Sequence, residues 1–274
     1  MEQLNKNSRT FVIGDIHGAL LSLKQCLERS SFDNSKDKII FLGDYVDGWS
    51  ESSELVEYLI NLQADSKDRH IFIRGNHDKW AEDWIIHGSI HRGWLPQGGQ
   101  STVDSYIKTQ FLVSEKHRDF FRNMKNFYID DENRGFVHGG FNSKNGLGYE
   151  VYDSDYYWDR DLWNLALLSH GRIHEEANMA DGLSHGKRFE RHKEIYIGHT
   201  STCNWNCKPH LPEYKMKGQP SLNGPIMVPM NRQNVWNMDT GSGFYGKLTI
   251  MDIDSKEYWQ SELSRDNYPD EKGR

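Results

Sequence analysis

Five short segments of this 274-residue chain share one pattern: an apolar run, a turn containing glycine, then a residue with a hard oxygen or an imidazole. Phe11-Val12-Ile13-Gly14 leads into Asp15-Ile16-His17-Gly18, and Ile39-Ile40-Phe41-Leu42-Gly43 into Asp44-Tyr45-Val46-Asp47. Ile71-Phe72-Ile73-Arg74-Gly75 precedes Asn76-His77-Asp78, Gly135-Phe136-Val137 precedes His138-Gly139-Gly140, and Ile195-Tyr196-Ile197-Gly198 precedes His199-Thr200. Short apolar runs closed by turn residues predict buried strands. The polar groups then fall at strand carboxyl ends, where open α/β sheets bind their ligands.

Between the first three runs lie two helical patterns. Leu20, Leu23 and Leu27 mark one face of Ala19 to Arg29, and Leu55, Val56, Leu59 and Ile60 one side of a second helix, with Ser50, Ser52 and Ser53 as candidate caps. Strand and helix alternating at spacings near thirty residues predict parallel βαβ crossovers. Gly98-Gly99-Gln100-Ser101-Thr102 reads as a helix start, and Phe127 to Val137 as a hairpin. A helix is expected around Asp161 to Ala180. Proline, glycine and asparagine between Thr202 and Asn234 predict an irregular surface insertion, and strands at Val235–Asn237, Lys247–Ile253 and Glu257–Ser264 close the chain. No repeat or linker divides it, so residues 1–274 are expected to form one domain.

Bulk properties exclude several classes. Lys and Arg total 33 against 40 Asp and Glu, a net charge of −7, which lacks the basic footprint of a general nucleic-acid binder. No apolar run approaches the ~20 residues of a membrane span, and Met1 to Thr10 lacks a signal-peptide core, so a cytoplasmic protein is expected. Cys26 lies in an apolar helical stretch and is expected in the core. Cys203 and Cys207, with His210 as a third candidate ligand, make an incomplete set for structural zinc, and free thiols in a loop are the expectation.

Asp15 and His17, two residues apart beyond a strand, would point the same way in extended chain and could share one ion. Asp44 has two oxygens with which to bridge two ions ~3.5–4 Å apart. Asn76, His138 and His199 arrive from three further strand ends and could complete the second ion's shell. Oxygen and imidazole donors without thiolate suit divalent cations with open water positions. Two such cations acidify a shared water enough to supply hydroxide near neutrality, as direct hydrolysis of a phosphate ester requires. His77 neighbours a ligand without being one, so it could protonate the leaving oxygen while Asp47 holds its other nitrogen.

The same five motifs, in this order, resemble those of the calcineurin-like metallophosphoesterases. Within that superfamily the chain is most similar to the serine/threonine phosphoprotein phosphatase type, in its bacterial and phage lambda-phosphatase-like branch. The resemblance spans about Phe11 to Ile253 and implies a four-layer α/β fold of two mixed sheets flanked by helices. It implies Asp15, His17 and Asp44 as ligands of one metal, and Asp44, Asn76, His138 and His199 as ligands of the other. His77 resembles the general acid, Asp47 the carboxylate orienting it, and Arg74 and Arg160 phosphate-clamping arginines. Manganese is the usual metal of bacterial members, with iron or zinc in relatives. The expected activity is hydrolysis of phosphomonoesters, on phosphoprotein or small phosphate esters. The alternatives are a symmetrical dinucleoside polyphosphate hydrolase, a phosphodiesterase, or an inactive phosphate-binding module.

One departure stands out. The family's second motif continues with arginine, whereas here Asp47 is followed by Gly48-Trp49, which predicts a less charged phosphate pocket. Gly48 reads either as a turn glycine or as a site of close approach, and Trp49 as core or pocket wall. Tyr152, Tyr156, Tyr157, Trp158 and Trp163 fit packing under a loop, or a groove that stacks a nucleobase or phosphotyrosine ring.

Overall fold

The structure is a computed structural model that describes residues 8–169, 188–204 and 225–274. Two five-stranded mixed sheets pack face to face. One contains β1 (Thr10–Ile13), β2 (Lys38–Phe41), β3 (Ile71–Phe72), β9 (Lys247–Asp252) and β10 (Tyr258–Leu263), in the order β10-β9-β1-β2-β3. The other contains β4 (Phe127–Ile129), β5 (Arg134–Val137), β6 (Glu194–Ile197), β7 (Met230–Arg232) and β8 (Val235–Asn237), in the order β4-β5-β6-β8-β7. Strands β1, β2 and β3 run parallel, as do β5, β6 and β8, so six carboxyl ends are available to a site.

Strand periodicity explains the layers. Alternate side chains face opposite ways, so Val12, Ile40 and Leu42 meet Phe136, Tyr196 and Met238 between the sheets. The Phe136 and Tyr196 rings stack there with centroids 4.9 Å apart. Phe11, Ile13, Ile39 and Phe41 point outward against α1 (Leu20–Arg29), α2 (Ser52–Asp65) and neighbouring helices. Val137, Ile195, Ile197 and Val235 pack outward on α7 (Asp161–Ser169), through Leu162, Trp163 and Ala166. Both faces of each central strand are therefore buried, which is why the strands read as continuous apolar runs.

Several details differ from expectation. α2 begins after Glu51 with no side-chain cap, because Ser52 and Ser53 are drawn into other bonds: Ser52 Oγ accepts from the Asp47 amide at 3.2 Å, and Ser53 Oγ meets Ser105 Oγ at 2.6 Å. The expected insertion contains a strand, since β7 pairs antiparallel with β8 and extends the second sheet. Residues 205–224 of that insertion lie outside the described residues, as does the part of the predicted helix from His170 to Ala180. Among the described residues no helix is long and apolar enough to cross a membrane.

Trp49 is core. It is fully buried, donates its indole N–H to the Ser242 carbonyl at 2.7 Å and stacks on Tyr268 at 5.1 Å. Cys26 is equally buried, with Sγ 3.4 Å from the Leu248 carbonyl, and burial pushes its thiol up to about 12. A thiol reacts as thiolate, so Cys26 should resist alkylation in native protein at pH 8 and label fully once denatured. Peptide mass spectrometry locates the label. Equal labelling rates in native and denatured chain would contradict this packing.

Candidate metal centre

The expected polar residues do converge at the strand ends. Asp15 follows β1, Asp44 follows β2, and Asn76 opens α3 (Asn76–His87) just beyond β3; His138 follows β5 and His199 follows β6. All are buried. Two groups form, Asp15 with His17 and Asp44, and Asp44 with His138 and His199, each with its donor atoms within 4.8 Å of one another.

Asp44 belongs to both groups through a single oxygen. Its Oδ1 accepts the backbone N–H of His77 at 3.0 Å. Its Oδ2 lies 3.5 Å from His17 Nε2 and 3.3 Å from His138 Nε2. The sequence suggested a carboxylate bridging with both oxygens, but one is already committed to the backbone. Gly75 lets this happen: a Cβ there would lie 2.0 Å from Asp44 Oδ1.

Two of the imidazoles are aimed by their other nitrogen. His17 Nδ1 donates to the Val46 carbonyl at 3.0 Å, and His138 Nδ1 to the Leu42 carbonyl at 2.9 Å. Both rings thereby present Nε2 to the site, as histidine ligands of metals do. The Asn76 amide oxygen stands 3.2 Å from His138 Nε2. His199 is oriented by its own amide, which donates to the Asp15 carboxylate at 3.1–3.2 Å.

The turns carrying these groups are bent. His17, Asp44, Asp47 and His199 all have left-handed backbones, with φ of 56°, 53°, 72° and 65°. The extended geometry expected for Asp15 and His17 is therefore replaced by a turn, yet His17 Nε2 still comes within 3.9 Å of Asp15 Oδ2. Such backbone costs roughly 1–3 kcal/mol per residue. Local bonds offset it, among them the amides of Ile16 and His17 donating to the Asp44 carbonyl at 3.0 and 2.9 Å.

A cation fits the electrostatics. His17 Nε2, Asp44 Oδ2 and both ring nitrogens of His199 are buried without a hydrogen-bond partner. Polar atoms in that state cost about 1–3 kcal/mol each, and more when charged. Burial foremost, then Asp239, pushes Asp15 well above the usual carboxylate range. Burial alone would also raise Asp44, but His138, His77 and His17 hold it well below that range. His138, which burial would lower, is lifted to about 9 by Asp44 and Asp15. Burial above all, with Arg274 and His138 respectively, keeps His17 and His199 neutral. Crowded carboxylates beside lone-pair imidazoles make a site that divalent ions satisfy.

His77 and Asp47 form a separate unit on the rim. His77 Nδ1 meets Asp47 Oδ2 at 2.6 Å. The same oxygen accepts from Trp94 Nε1 at 2.7 Å, and Oδ1 accepts from Thr102 Oγ1 at 2.6 Å. Arg160 also adjoins the centre, its Nη1 donating to the His199 carbonyl at 3.0 Å and Thr200 Oγ1 at 2.8 Å.

Arg74 is elsewhere. Its guanidinium donates to Asn126 Oδ1 at 3.1 Å and the Phe121 carbonyl at 2.9 Å, and Nε lies 3.3 Å from Glu82. It ties β3 to the end of α5 (Glu115–Arg122), so the phosphate-clamping placement read from the sequence is corrected. Cys203 is buried with Sγ 3.3 Å from the Thr240 carbonyl, while Cys207 and His210 lie outside the described residues.

Some participants were missed. Asp239 is buried beside Asp15 beyond β8, in Asn237-Met238-Asp239-Thr240-Gly241, which repeats the strand-to-glycine signal. Asp78 accepts the amides of Asp44, Tyr45 and Gly75 at 2.6, 2.9 and 2.8 Å, stapling two of the turns. Thr102 and Trp94 carried no signal, since only tertiary packing brings them to Asp47.

The family model for calcineurin-like phosphoesterases matches residues 8–213. The chain belongs to that family. It is a metal-dependent phosphoric ester hydrolase. A symmetrical bis(5'-nucleosyl)-tetraphosphatase of Pseudomonas fluorescens (strain SBW25) is 39% identical over 298 residues, covering 90% of this chain and 92% of the relative. A protein of the same name from Pseudomonas entomophila (strain L48) is 23% identical, covering 95% of this chain and 96% of its own. A serine/threonine phosphatase structure from Saccharomyces cerevisiae superposes with a TM-score of 0.55 at 13% identity, covering 94% of this chain and 80% of that one, a likeness of fold.

Gly75 gives a direct test of the donor geometry. Its φ of −94° is open to alanine, but a Cβ would lie 2.0 Å from Asp44 Oδ1 and 2.5 Å from the Asp44 amide nitrogen, so Gly75→Ala should displace the whole Asp44 turn while leaving the helices and sheets in place. Circular dichroism should be unchanged, and manganese retained per chain after gel filtration should fall by half or more. Full metal retention would contradict the geometry.

Proposed function

We propose that this phosphoesterase hydrolyses dinucleoside polyphosphates symmetrically, the reading that the sequence left as an alternative to phosphomonoester hydrolysis. The observation that carries it is an aromatic cleft beside the donor cluster. A cavity of about 600 Å³ opens next to Asn76 and is lined by Trp80, His91 and Trp158, with Lys79 and Arg92. Trp80 and His91 stack at 5.1 Å, and Trp158 stands edge-on to Trp80 at 5.1 Å and to His199 at 5.9 Å. The wall of rings thus runs from a metal-donor histidine into the cleft, and Trp158 remains 42% exposed.

A nucleobase offers such a wall a face worth roughly 1–3 kcal/mol of stacking. Phosphoserine or a small aliphatic ester offers none. Arg92 supplies positive charge along the same cleft, whereas Lys79 there is paired with Asp83, also in the lining, at 2.7 Å. The similarity to proteins named symmetrical tetraphosphatases supports the same reading.

In this account Asp15, His17 and Asp44 would hold one divalent ion, and Asp44, Asn76, His138 and His199 the other, with manganese suited to the carboxylate and amide oxygens. When bound, the ions supply Lewis acidity toward the phosphoryl group and lower the pKa of nearby water. Arg160, pinned beside His199, adds positive charge where negative charge builds on phosphoryl oxygens. His77 turns Nε2 toward the site while Asp47 holds Nδ1, and from that atom it protonates the departing phosphate oxygen. Thr102 and Trp94 fix Asp47 and so set the angle of the ring.

The manganese-loaded enzyme should cleave diadenosine tetraphosphate with a higher kcat/KM than para-nitrophenyl phosphate or phosphoserine and phosphotyrosine peptides. ADP should be the only nucleotide product. Trp158→Ala should raise KM for the dinucleotide about tenfold, in line with one lost stack, and leave para-nitrophenyl phosphate within about twofold. AMP with ATP as products, or faster hydrolysis of a phosphopeptide, would refute this substrate class.

A further inference from the structure

The loss of a motif arginine at Gly48 predicted a pocket short of positive charge. The structure brings a guanidinium there from a distant part of the chain. After α8 (Ser264–Asn267), Tyr268 stacks on Trp49 at 5.1 Å, and Glu271 accepts from Ser50, N–H at 2.9 Å and Oγ at 2.6 Å. Arg274 then donates its backbone N–H to the Gly243 carbonyl at 2.9 Å, and its guanidinium lies over the Phe244 ring at 4.8 Å. Nη1 donates to His77 Nε2 and stands 3.9 Å from Asp44 Oδ2. The side chain is only 14% exposed.

Two turn glycines border this approach, and Gly98 makes room for it. A Cβ on Gly48 would lie 3.4 Å from Arg274 N and 3.5 Å from its Cβ, and one on Gly98 would lie 2.9 Å from that Cβ. Both have left-handed backbone, φ 99° and 98°, and Gly48 N donates to the Gly98 carbonyl at 3.2 Å. Gly48 is thus a turn residue required by its left-handed backbone, against which the main chain of Arg274 packs at van der Waals distance.

A fixed cation at this point poses a charge problem. Asp44 Oδ2 is the oxygen common to both donor groups, so once ions bind there it is no longer a counter-ion for Arg274. The guanidinium then faces two divalent cations, which is tolerable only when an anion lies between. His77 Nε2 must also be released if that atom is to carry a proton to the leaving group. One event answers both demands: a phosphate enters, and the planar fork of donors turns from the imidazole onto its oxygens.

We propose that Arg274 is a phosphate-binding residue of this enzyme, supplying from the end of the described chain the guanidinium that position 48 lacks. The proposal rests on the two-metal reading of the site. The phosphoryl group between the ions and Arg274 is the one under attack, so any phosphoester substrate meets this contact, whatever occupies the aromatic cleft.

The test uses Arg274→Ala, with Arg274→Gln as a variant that keeps the packing on Phe244, and Arg274→Lys as the conservative one. Manganese content and melting temperature are measured first, and both should match wild type in Arg274→Gln. Inorganic phosphate is then titrated calorimetrically into each manganese-loaded protein. Affinity should fall roughly tenfold to a hundredfold in Arg274→Ala and Arg274→Gln, the range of one hydrogen-bonded charge pair, with partial recovery in Arg274→Lys. Added guanidinium ion should restore part of the kcat/KM of Arg274→Ala. Wild-type phosphate affinity in a metal-replete Arg274→Gln protein would overturn the proposal. A manganese-loaded wild type that bound no phosphate and cleaved no phosphoester would instead overturn the two-metal reading beneath it.

Discussion

Asp44 is held by every part of its own residue. Its amide donates to Asp78 at 2.6 Å, its carbonyl accepts from Ile16 and His17, and its Oδ1 accepts from His77. The φ of 53° that permits all of this is left-handed, a region few non-glycine residues adopt and in which aspartate is among the better tolerated. What remains is Oδ2, fully buried, without a hydrogen-bond partner and within 3.5 Å of two imidazoles. A buried polar atom left without a hydrogen-bond partner costs about 1–3 kcal/mol. The fold bears that cost at the oxygen common to both donor groups.

The sheets exist in a form that serves this atom. Because parallel strands of both sheets end at the same edge, donors from β1, β2, β5 and β6 meet without long loops. Small residues then set the distances. Gly75 admits Asp44 Oδ1, and Gly198 admits Asp15 Oδ1, which would lie 2.1 Å from a Cβ there. The same logic reaches the rim, where Gly98 admits Arg274.

Legibility in the sequence followed interaction range. Strand ends were readable because burial on both faces leaves continuous apolar runs, and the turn glycines beside them mark close approach. Asp15, His17, Asp44, Asn76, His138 and His199 were found this way. Asp239 carried the same mark, though its strand is only three residues long. Arg74 was misread because its neighbours in sequence are site residues, whereas its guanidinium follows α5. Thr102, Trp94 and Arg274 reach the site from 47 to 197 residues away, and nothing local to them reports it. The expected deficit of charge at Gly48 failed for the same reason: a motif records which side chain is missing, not what fills its place.

The central claim, that one carboxylate oxygen joins two metal sites, is tested most directly by electron paramagnetic resonance of the manganese-reconstituted protein, paired with metal analysis. Two manganese ions per chain with the signal of an exchange-coupled pair are expected, and Asp44→Asn should abolish the coupling. One ion per chain, or two that give uncoupled mononuclear signals in the wild type, would contradict it.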